Sequence, residues 1–369
     1  MVSVARDING LFKNERSVGL LIDESSEEKK GGHSVGAAHQ YCGNLGKLAN
    51  CQVAVFATLC AGEHFSIVDA ELFLPEVWTN DAERCKKAGI PAGTVFKKKS
   101  LIALDIIKRL KLVGIRFNYV SADGLYGHDM EFRAGLDSLG ILFVADVHKD
   151  LKIFGEPFEM EVPQKKEGAR GKTPTKACAN KVGARVDRYM DSLKPGDWTK
   201  VVIRNGSKGA LASQVHAKEI YVDEDQKCVK RTLIIRKTRE HSKDRVSYSL
   251  SNGSLEDHTP ETLVGYQAQR FYIEQSFREA KQNIGMCDYQ VRGWLAWNHH
   301  IALSMMALAF LSMEKMAHQE ELPLLSYRDI RDAIIDNLIQ EEAKKSFAEK
   351  LYERHRKRQQ DINRFYEKT

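Results

Sequence analysis

QVAVFATLCAGEHFSIVDAELFLP, residues 52–75, holds two apolar runs on either side of Gly62. Val, Phe, Thr and Ile favour an extended, packed chain, and one glycine between the runs supplies the backbone freedom of a tight turn. The stretch predicts two strands joined as a hairpin. Residues 17–23, SVGLLID, form a shorter apolar run closed by a carboxylate, so the chain opens as a meander of three strands.

Further along, LIALDIIKRLKLVGI (101–115) spaces its apolar residues at helical period and carries a stop signal at Gly114. FNYVSADG (117–124) reads as a strand ending on Asp123, HDMEFRAGLDSLG (128–140) as a weaker amphipathic helix, and ILFVADV (141–147) as a buried strand. Strands and helices that alternate after a meander predict an α/β fold, a mixed sheet with helices packed on its faces. Asp23 and Asp123 both fall at the C-terminal ends of strands, where side chains from separate strands can meet.

From about residue 150 to 249 the character changes. QKKEGARGKTPTKACANK (164–181) carries six basic groups and one acid. WTKVVIRNGSKGALASQVHAKEIYV and CVKRTLIIRKTR then alternate like hairpin strands, with Asn-Gly and Lys-Gly turn chemistry. Helical spacing returns in ETLVGYQAQRFYIEQSFREAKQ (261–282). IALSMMALAF (301–310) reads as a helix buried on all sides, and another helix is expected over 327–340. The expected segments are 1–149 and 250–318 as two parts of one catalytic domain, 150–249 as a β-rich insertion, and 319–369 as a solvated helical tail.

The bulk composition narrows the class. With 43% hydrophobic and 29% charged residues the 369-residue chain is globular, and its net charge of +6 favours a polyanionic partner only weakly. Seven cysteines without a C-x-x-C pair argue against a zinc ribbon or a disulfide scaffold and fit a reducing cytoplasm. The N-terminal MVSVARDING lacks the pattern of a signal peptide, and the longest apolar run is well short of the roughly 20 residues that span a bilayer. A cytoplasmic protein with no membrane partner is expected.

RFYIEQSFREAKQNIG (270–285) sets Arg270, Glu274 and Lys281 about one and two helical turns apart, on one face. Alone, Arg270 and Glu274 read as an exposed ion pair worth tenths of a kcal/mol, and Asp23 or Asp123 as a solvated strand end. Together, Asp23, Asp123 and Glu274 form a set of oxygen donors whose mutual repulsion calls for Mg²⁺ or Mn²⁺. Glu24, beside Asp23, points the other way on an extended chain and is set aside, with Glu279 as its counterpart on the helix. Lys29, Lys30 and Lys47 read as solvated charge or DNA contacts, His299 and His300 as packing residues or base contacts, and Tyr126 and His128 as neighbours of Asp123 with stacking or proton-relay roles open to them.

Four stretches carry a resemblance: LLIDESSEEKKGGHSVGAAHQYCGNLGKLANCQVAVF, ELFLPEVW, YVSADGLYG, and YQAQRFYIEQSFREAKQNIGMCDYQVRGWLAWNHHIALSMMALAFL. In these the chain resembles the DDE transposases of bacterial insertion sequences over residues 17 to 335. A large branch of that family places its third acid in a signature of Tyr, two residues, Arg, three residues, Glu, six residues, Lys. Arg270, Glu274 and Lys281 match the last three positions, whereas Gln267 stands at the tyrosine position, with Tyr266 one place earlier.

The resemblance implies a ribonuclease H-like catalytic domain interrupted by a β-rich insertion, with a helical C-terminal part. It implies Asp23, Asp123 and Glu274 as the catalytic acids holding Mg²⁺ or Mn²⁺, with Arg270 and Lys281 on DNA phosphates. Lys165, Lys166, Arg170 and Lys172, with Lys176 and Lys181, would track the backbone. The implied reaction is cleavage at an element's end and transfer of the freed 3′-hydroxyl to target DNA, by a homodimer bridging two ends. Relatives carry a helical region before the first acid, and here 22 residues precede Asp23, so either a truncated copy or a misplaced start is expected, with intact catalytic residues and lost end recognition as its consequence. The alternatives are a non-catalytic DNA-binding remnant and a metal-dependent DNA nuclease of the same fold.

Overall fold

The computed structural model describes residues 1–369 except 165–171, 173–174, 207–208, 241–242, 339–346 and 367–369. Helix α1 (Val2–Leu11) leads into strands β1 (Gly19–Glu28), β2 (Ala38–Cys42), β3 (Lys47–Ala61) and β4 (His64–Leu72). Helices α2 (Glu76–Thr79), α3 (Ala82–Ala88) and α4 (Lys99–Leu112) follow, then β5 (Tyr119–Ala122), α5 (Gly124–Gly127), α6 (Met130–Ser138) and β6 (Phe143–Asp146). Short strands β7 (Lys152–Ile153), β8 (Met160–Glu161), β9 (Cys178–Ala179) and β10 (Ala184–Arg185), with helix α7 (Val186–Asp191), precede four long strands. These are β11 (Thr199–Gly206), β12 (Gly209–Glu224), β13 (Lys227–Glu240) and β14 (Lys243–Ser251). Helices α8 (Pro260–Gln269), α9 (Phe271–Asn283), α10 (Trp294–Ala317) and α11 (Tyr327–Leu338), and a closing helix Phe347–Tyr366, complete the chain.

Ten strands form one sheet in the order β11-β12-β13-β14-β6-β5-β1-β3-β2, with β4 also paired to β3. β1, β5 and β6 are mutually parallel neighbours, and the other pairings are antiparallel. The parallel pairs are joined by connections that contain helices, and the antiparallel pairs that follow one another in the chain by short connections, whereas β14 pairs with β6 across a long stretch of chain. This is the expected α/β fold, a mixed sheet flanked by helices, with a helical C-terminal part. The strands read as an insertion extend the same sheet, because β14 pairs with β6 from Ser249↔Asp146 to Ser251↔Val144.

Burial explains the continuous apolar run in β3, whose residues Cys51 to Ala61 are all buried, so no polar alternation is needed. Gly62 makes the β3–β4 turn at φ 59, a left-handed conformation that costs glycine little. On β1, Glu24 pairs with Lys99 of α4 while the preceding Asp23 faces Arg270 beside α9. Consecutive strand residues point to opposite faces, so α4 and α9 flank the sheet on its two sides.

Residues Met1–Ala309 form one compact unit and Phe310–Thr369 a second. In the first, the expectation that the helix at 301 is buried all round is corrected: Ile301, Met305 and Leu308 are buried, but Leu303 and Met306 are 64% and 55% exposed. Apolar residues on every side of a helix do not reveal whether its second face finds cover in the same chain. In the second, α11 starts at a reciprocal cap, Ser326 Oγ accepting from the Asp329 N–H and Asp329 Oδ2 from the Ser326 N–H. Among the described residues no helix is long and apolar enough to cross a membrane.

Candidate active site

Strands β1 and β5 pair in register from Gly19↔Tyr119 to Ile22↔Ala122, so the next residues, Asp23 and Asp123, stand at equivalent positions. β5 and β6 pair up to Ala122↔Ala145, which puts Asp146 at the same level on the third strand. Asp123 follows the end of β5 and Asp146 ends β6, but the expectation that Asp23 closes its strand is corrected: β1 runs on to Glu28, with Asp23 paired to Phe56 of β3. Neighbouring strands lie about 4.8 Å apart, so the three aspartates stand side by side where the parallel pairing of β1 with β5 stops. Asp123 caps α5, its Oδ1 accepting from the Leu125 N–H at 2.9 Å, and Asp23 Oδ1 accepts from the Glu24 N–H at 2.8 Å.

Gly127 brings α5 close to β6: a Cβ there would overlap the Asp146 carbonyl oxygen and reach within 2.8 Å of the Ala145 Cβ. Only glycine allows the turn after Asp123 to pack on the strand end that carries Asp146.

Arg270 lies among these acids. Its Nη1 is 3.9 Å from Asp23 Oδ2 and 3.8 Å from Glu274 Oε1, and its Nε is 3.5 Å from Asp146 Oδ2. It occupies the joint between α8 and α9 with helical φ and ψ, not the middle of one helix. The guanidinium is 19% exposed while Glu274 is 56% exposed, so the pair is more than a surface i,i+4 contact.

The electrostatics follow from this crowding. Burial pushes the Asp23 carboxyl up to about 8, aided by the Asp123 charge and opposed by Arg270. Asp123 is raised by burial and by Glu24, against the pull of Arg270 and of two backbone N–H groups. Burial works against the Arg270 charge, but Asp146, Asp23, Asp123 and Glu274 outweigh it and raise its pKa.

A cleft of about 480 Å³ adjoins this edge, lined in part by Asp23, Asn44, Glu274, Arg278 and Lys281. Lys281 donates to Asn44 Oδ1 at 3.0 Å across it. The structure thus brings Asp23, Asp123, Arg270 and Glu274 together and sets Lys281 at the rim.

Lys165, Lys166 and Arg170 lie outside the described residues, Lys172 and Lys176 are exposed, and Lys181 pairs with Glu156 at 2.7 Å. Glu24 is held by Lys99 and by the buried Tyr126 hydroxyl, each at 3.0 Å, while His128 stacks on His148.

Two residues escaped the sequence reading. Asp146 carries the same signal as its partners, an apolar strand ending in Ala-Asp, but only the register shows that it shares their level. Gln267, at the position where the signature has tyrosine, is buried and donates to Asp146 Oδ1 at 2.9 Å and to the Ser247 and Ser249 hydroxyls. The Ser249 hydroxyl donates to the same Asp146 oxygen at 2.6 Å. Tyr266 instead stacks on Tyr119, ring centroids 3.8 Å apart.

The donors fit a hard divalent cation as an open pair. Asp23 and Asp123 offer carboxylate oxygens whose crowding a cation would relieve. Among the described residues no three acid, imidazole or thiol side chains converge closely enough to hold a metal ion.

The family model for the DDE superfamily endonucleases matches residues 3–210, a span that contains Asp23, Asp123 and Asp146 and ends before Arg270. The probable transposase for insertion sequence element IS701 of Microchaete diplosiphon is 34% identical over 138 residues, which cover 37% of this chain and 33% of that protein. The match therefore spans about a third of the length of this curated relative. Among solved structures, the NurA nuclease from Sulfolobus solfataricus aligns with a TM-score of 0.32 at 10% identity, over 81% of this chain and 89% of that one.

Proposed function

The chain belongs to the DDE superfamily endonucleases, and on that premise we propose that it is a transposase that cleaves a DNA strand at the end of an insertion sequence and joins the freed end to target DNA. The observation that carries this reading is the in-register pair Asp23 and Asp123, just beyond the last paired residues of the adjacent parallel strands β1 and β5, with the Arg270 guanidinium between them and Glu274.

In this reading Asp23, Asp123 and Glu274 are the residues that would hold a divalent cation. Bound Mg²⁺ or Mn²⁺ would supply the Lewis acidity that phosphodiester cleavage and transesterification require. Arg270, drawn from the acids, meets the scissile phosphate with a planar fork suited to two oxygens, and Lys281 meets a neighbouring phosphate as a point charge. The 480 Å³ cleft between β1, the β2–β3 turn and α9 gives the strand its path. A homodimer that bridges two ends belongs to the same proposal, as do DNA ends and target as the substrates.

The test is Mn²⁺-dependent nicking of supercoiled DNA that carries the sequence flanking the element, comparing the native chain with Asp123→Asn and Glu274→Gln. The expected result is nicking that both substitutions abolish, with products joined to target. Nicking without joining would make the chain a nuclease, and folded, DNA-binding protein that never nicks would leave only a binding remnant.

A further inference from the structure

We propose that Asp146 is the positioning residue for Arg270, clamping the Nε edge of the guanidinium so that Nη1 is held between Asp23 and Glu274. Three features carry this. Asp146 stands at the register level of Asp23 and Asp123, and its Oδ1 is already taken, accepting from Ser249 and Gln267 at 2.6 and 2.9 Å. With that oxygen committed, the other is left for Arg270, whose Nε lies 3.5 Å away. Arg270 sits at the joint of α8 and α9, its backbone bonded to Gln267 and Ile273, so its side chain leaves from between two helices and not from the middle of one.

The division of labour follows. A guanidinium presents its Nε edge and its terminal nitrogens to different partners, and an anion on the Nε edge fixes the plane of the fork. Asp146 neutralises part of the Arg270 charge from behind and keeps the terminal nitrogens toward the acids, where a phosphate would approach. Gln267 is the support the signature's tyrosine position supplies in this chain, and β14 contributes Ser249 through its cross-strand pairing with Asp146. The last strand of the region read as an insertion thereby buttresses the site.

The first readout needs neither metal nor DNA. The Arg270 Nε–H signal, identified in ¹⁵N-arginine NMR spectra by its disappearance in Arg270→Gln, should exchange slowly with water in the native chain. In Asp146→Asn, which keeps the side-chain shape and an acceptor for Ser249, exchange should quicken about tenfold. Asp23→Asn should leave it nearly unchanged, and Asp146→Glu should restore part of the protection. Unchanged exchange in Asp146→Asn, or equal acceleration in Asp23→Asn, overturns the proposal.

The second readout rests on the proposed function and is kinetic. Asp146→Asn should lower kcat for nicking about tenfold to a hundredfold with KM little changed, the signature of a misplaced group. A native chain that never nicks, combined with the expected NMR result, would sink the transposase reading and leave the clamp standing. Nicking by Asp146→Asn at the native rate would overturn the clamp alone.

Discussion

Asp23 and Asp123 occupy equivalent positions on adjacent parallel strands, each one residue beyond the paired Ile22 and Ala122. A sheet edge that aligns two carboxyls in this way stores repulsion in the metal-free protein.

That repulsion makes stability depend on pH. The Asp23 carboxyl sits at about 8 in the folded chain against an ordinary value of 3.8, so the folded state binds the proton more tightly than the unfolded one. A raised folded pKa gives stability that is full below about pH 4 and is lost as the pH climbs through 8. In chelator the Tm should therefore fall between pH 5 and 8, and Asp23→Asn should flatten that slope and melt higher than the native chain at pH 8. Scanning calorimetry across this range decides it, and an Asn variant with the native slope would refute the assignment.

A second cluster ties the sheet to the helix behind the site. Glu224, 5% exposed at the end of β12, accepts from Arg133 Nε at 2.7 Å and from Arg231 at 2.7 and 3.1 Å, and Arg231 also pairs with Asp137. Arg133 in turn donates to the Gly127 carbonyl, next to the turn that carries Asp123. Removing one partner from a buried ion network leaves uncompensated charge, so Glu224→Ala should cost about 3–5 kcal/mol. Urea unfolding measures this, and a loss under about 1 kcal/mol would mean the guanidiniums find solvent or another anion.

How far the sequence could lead depended on what signal each element left. β5 and β6 are apolar runs closed by aspartate, and the hairpin at Gly62 had a glycine where the backbone is left-handed, so these were legible, whereas β1 was legible only up to Asp23 because its second half, ESSEE, is polar. β2, AHQYC, was missed because it is short and lies mostly at the surface, leaving no apolar pattern. The β12–β13 turn places Asp225 and Gln226 at φ 52 and 61, conformations usually marked by Gly or Asn, so it gave no turn signal. Arg270 lay within an unbroken helical pattern, and no glycine or proline marked the joint. Of the site, the three acids and Arg270 could be named in advance through the resemblance. The role of Asp146 could not, because register between strands is set by packing across the sheet and is not written in either strand alone.

Gly127 offers a steric test of how tightly α5 must sit on β6. A methyl there meets the backbone of Asp146 and the side chain of Ala145, neither of which is a flexible end that can swing aside. Gly127→Ala should destabilise by about 1–3 kcal/mol and shift Asp123 relative to its neighbours. Gly10→Ala in α1, where a Cβ meets nothing within 4 Å, should be neutral or slightly stabilising and serves as the control. Equal Tm for the two variants would show that the close approach at Gly127 is relaxed in solution.

Lys281 and the buried Arg270 should separate in DNA binding as a rim charge and a central one. Lys281 spans the cleft to Asn44 and is free to exchange that neutral acceptor for a phosphate oxygen at little cost. Lys281→Ala, by deleting one cation from the phosphate path, should weaken binding uniformly across DNA sequences and reduce the slope of log K against log salt by about 1, with metal absent. Arg270→Gln removes the cation that offsets the surrounding acids, so in metal-free protein it leaves the site more negative and should weaken binding by more than Lys281→Ala does. Filter binding at several salt concentrations in chelator distinguishes the two, and a Lys281→Ala slope identical to that of the native chain would place the strand outside this cleft.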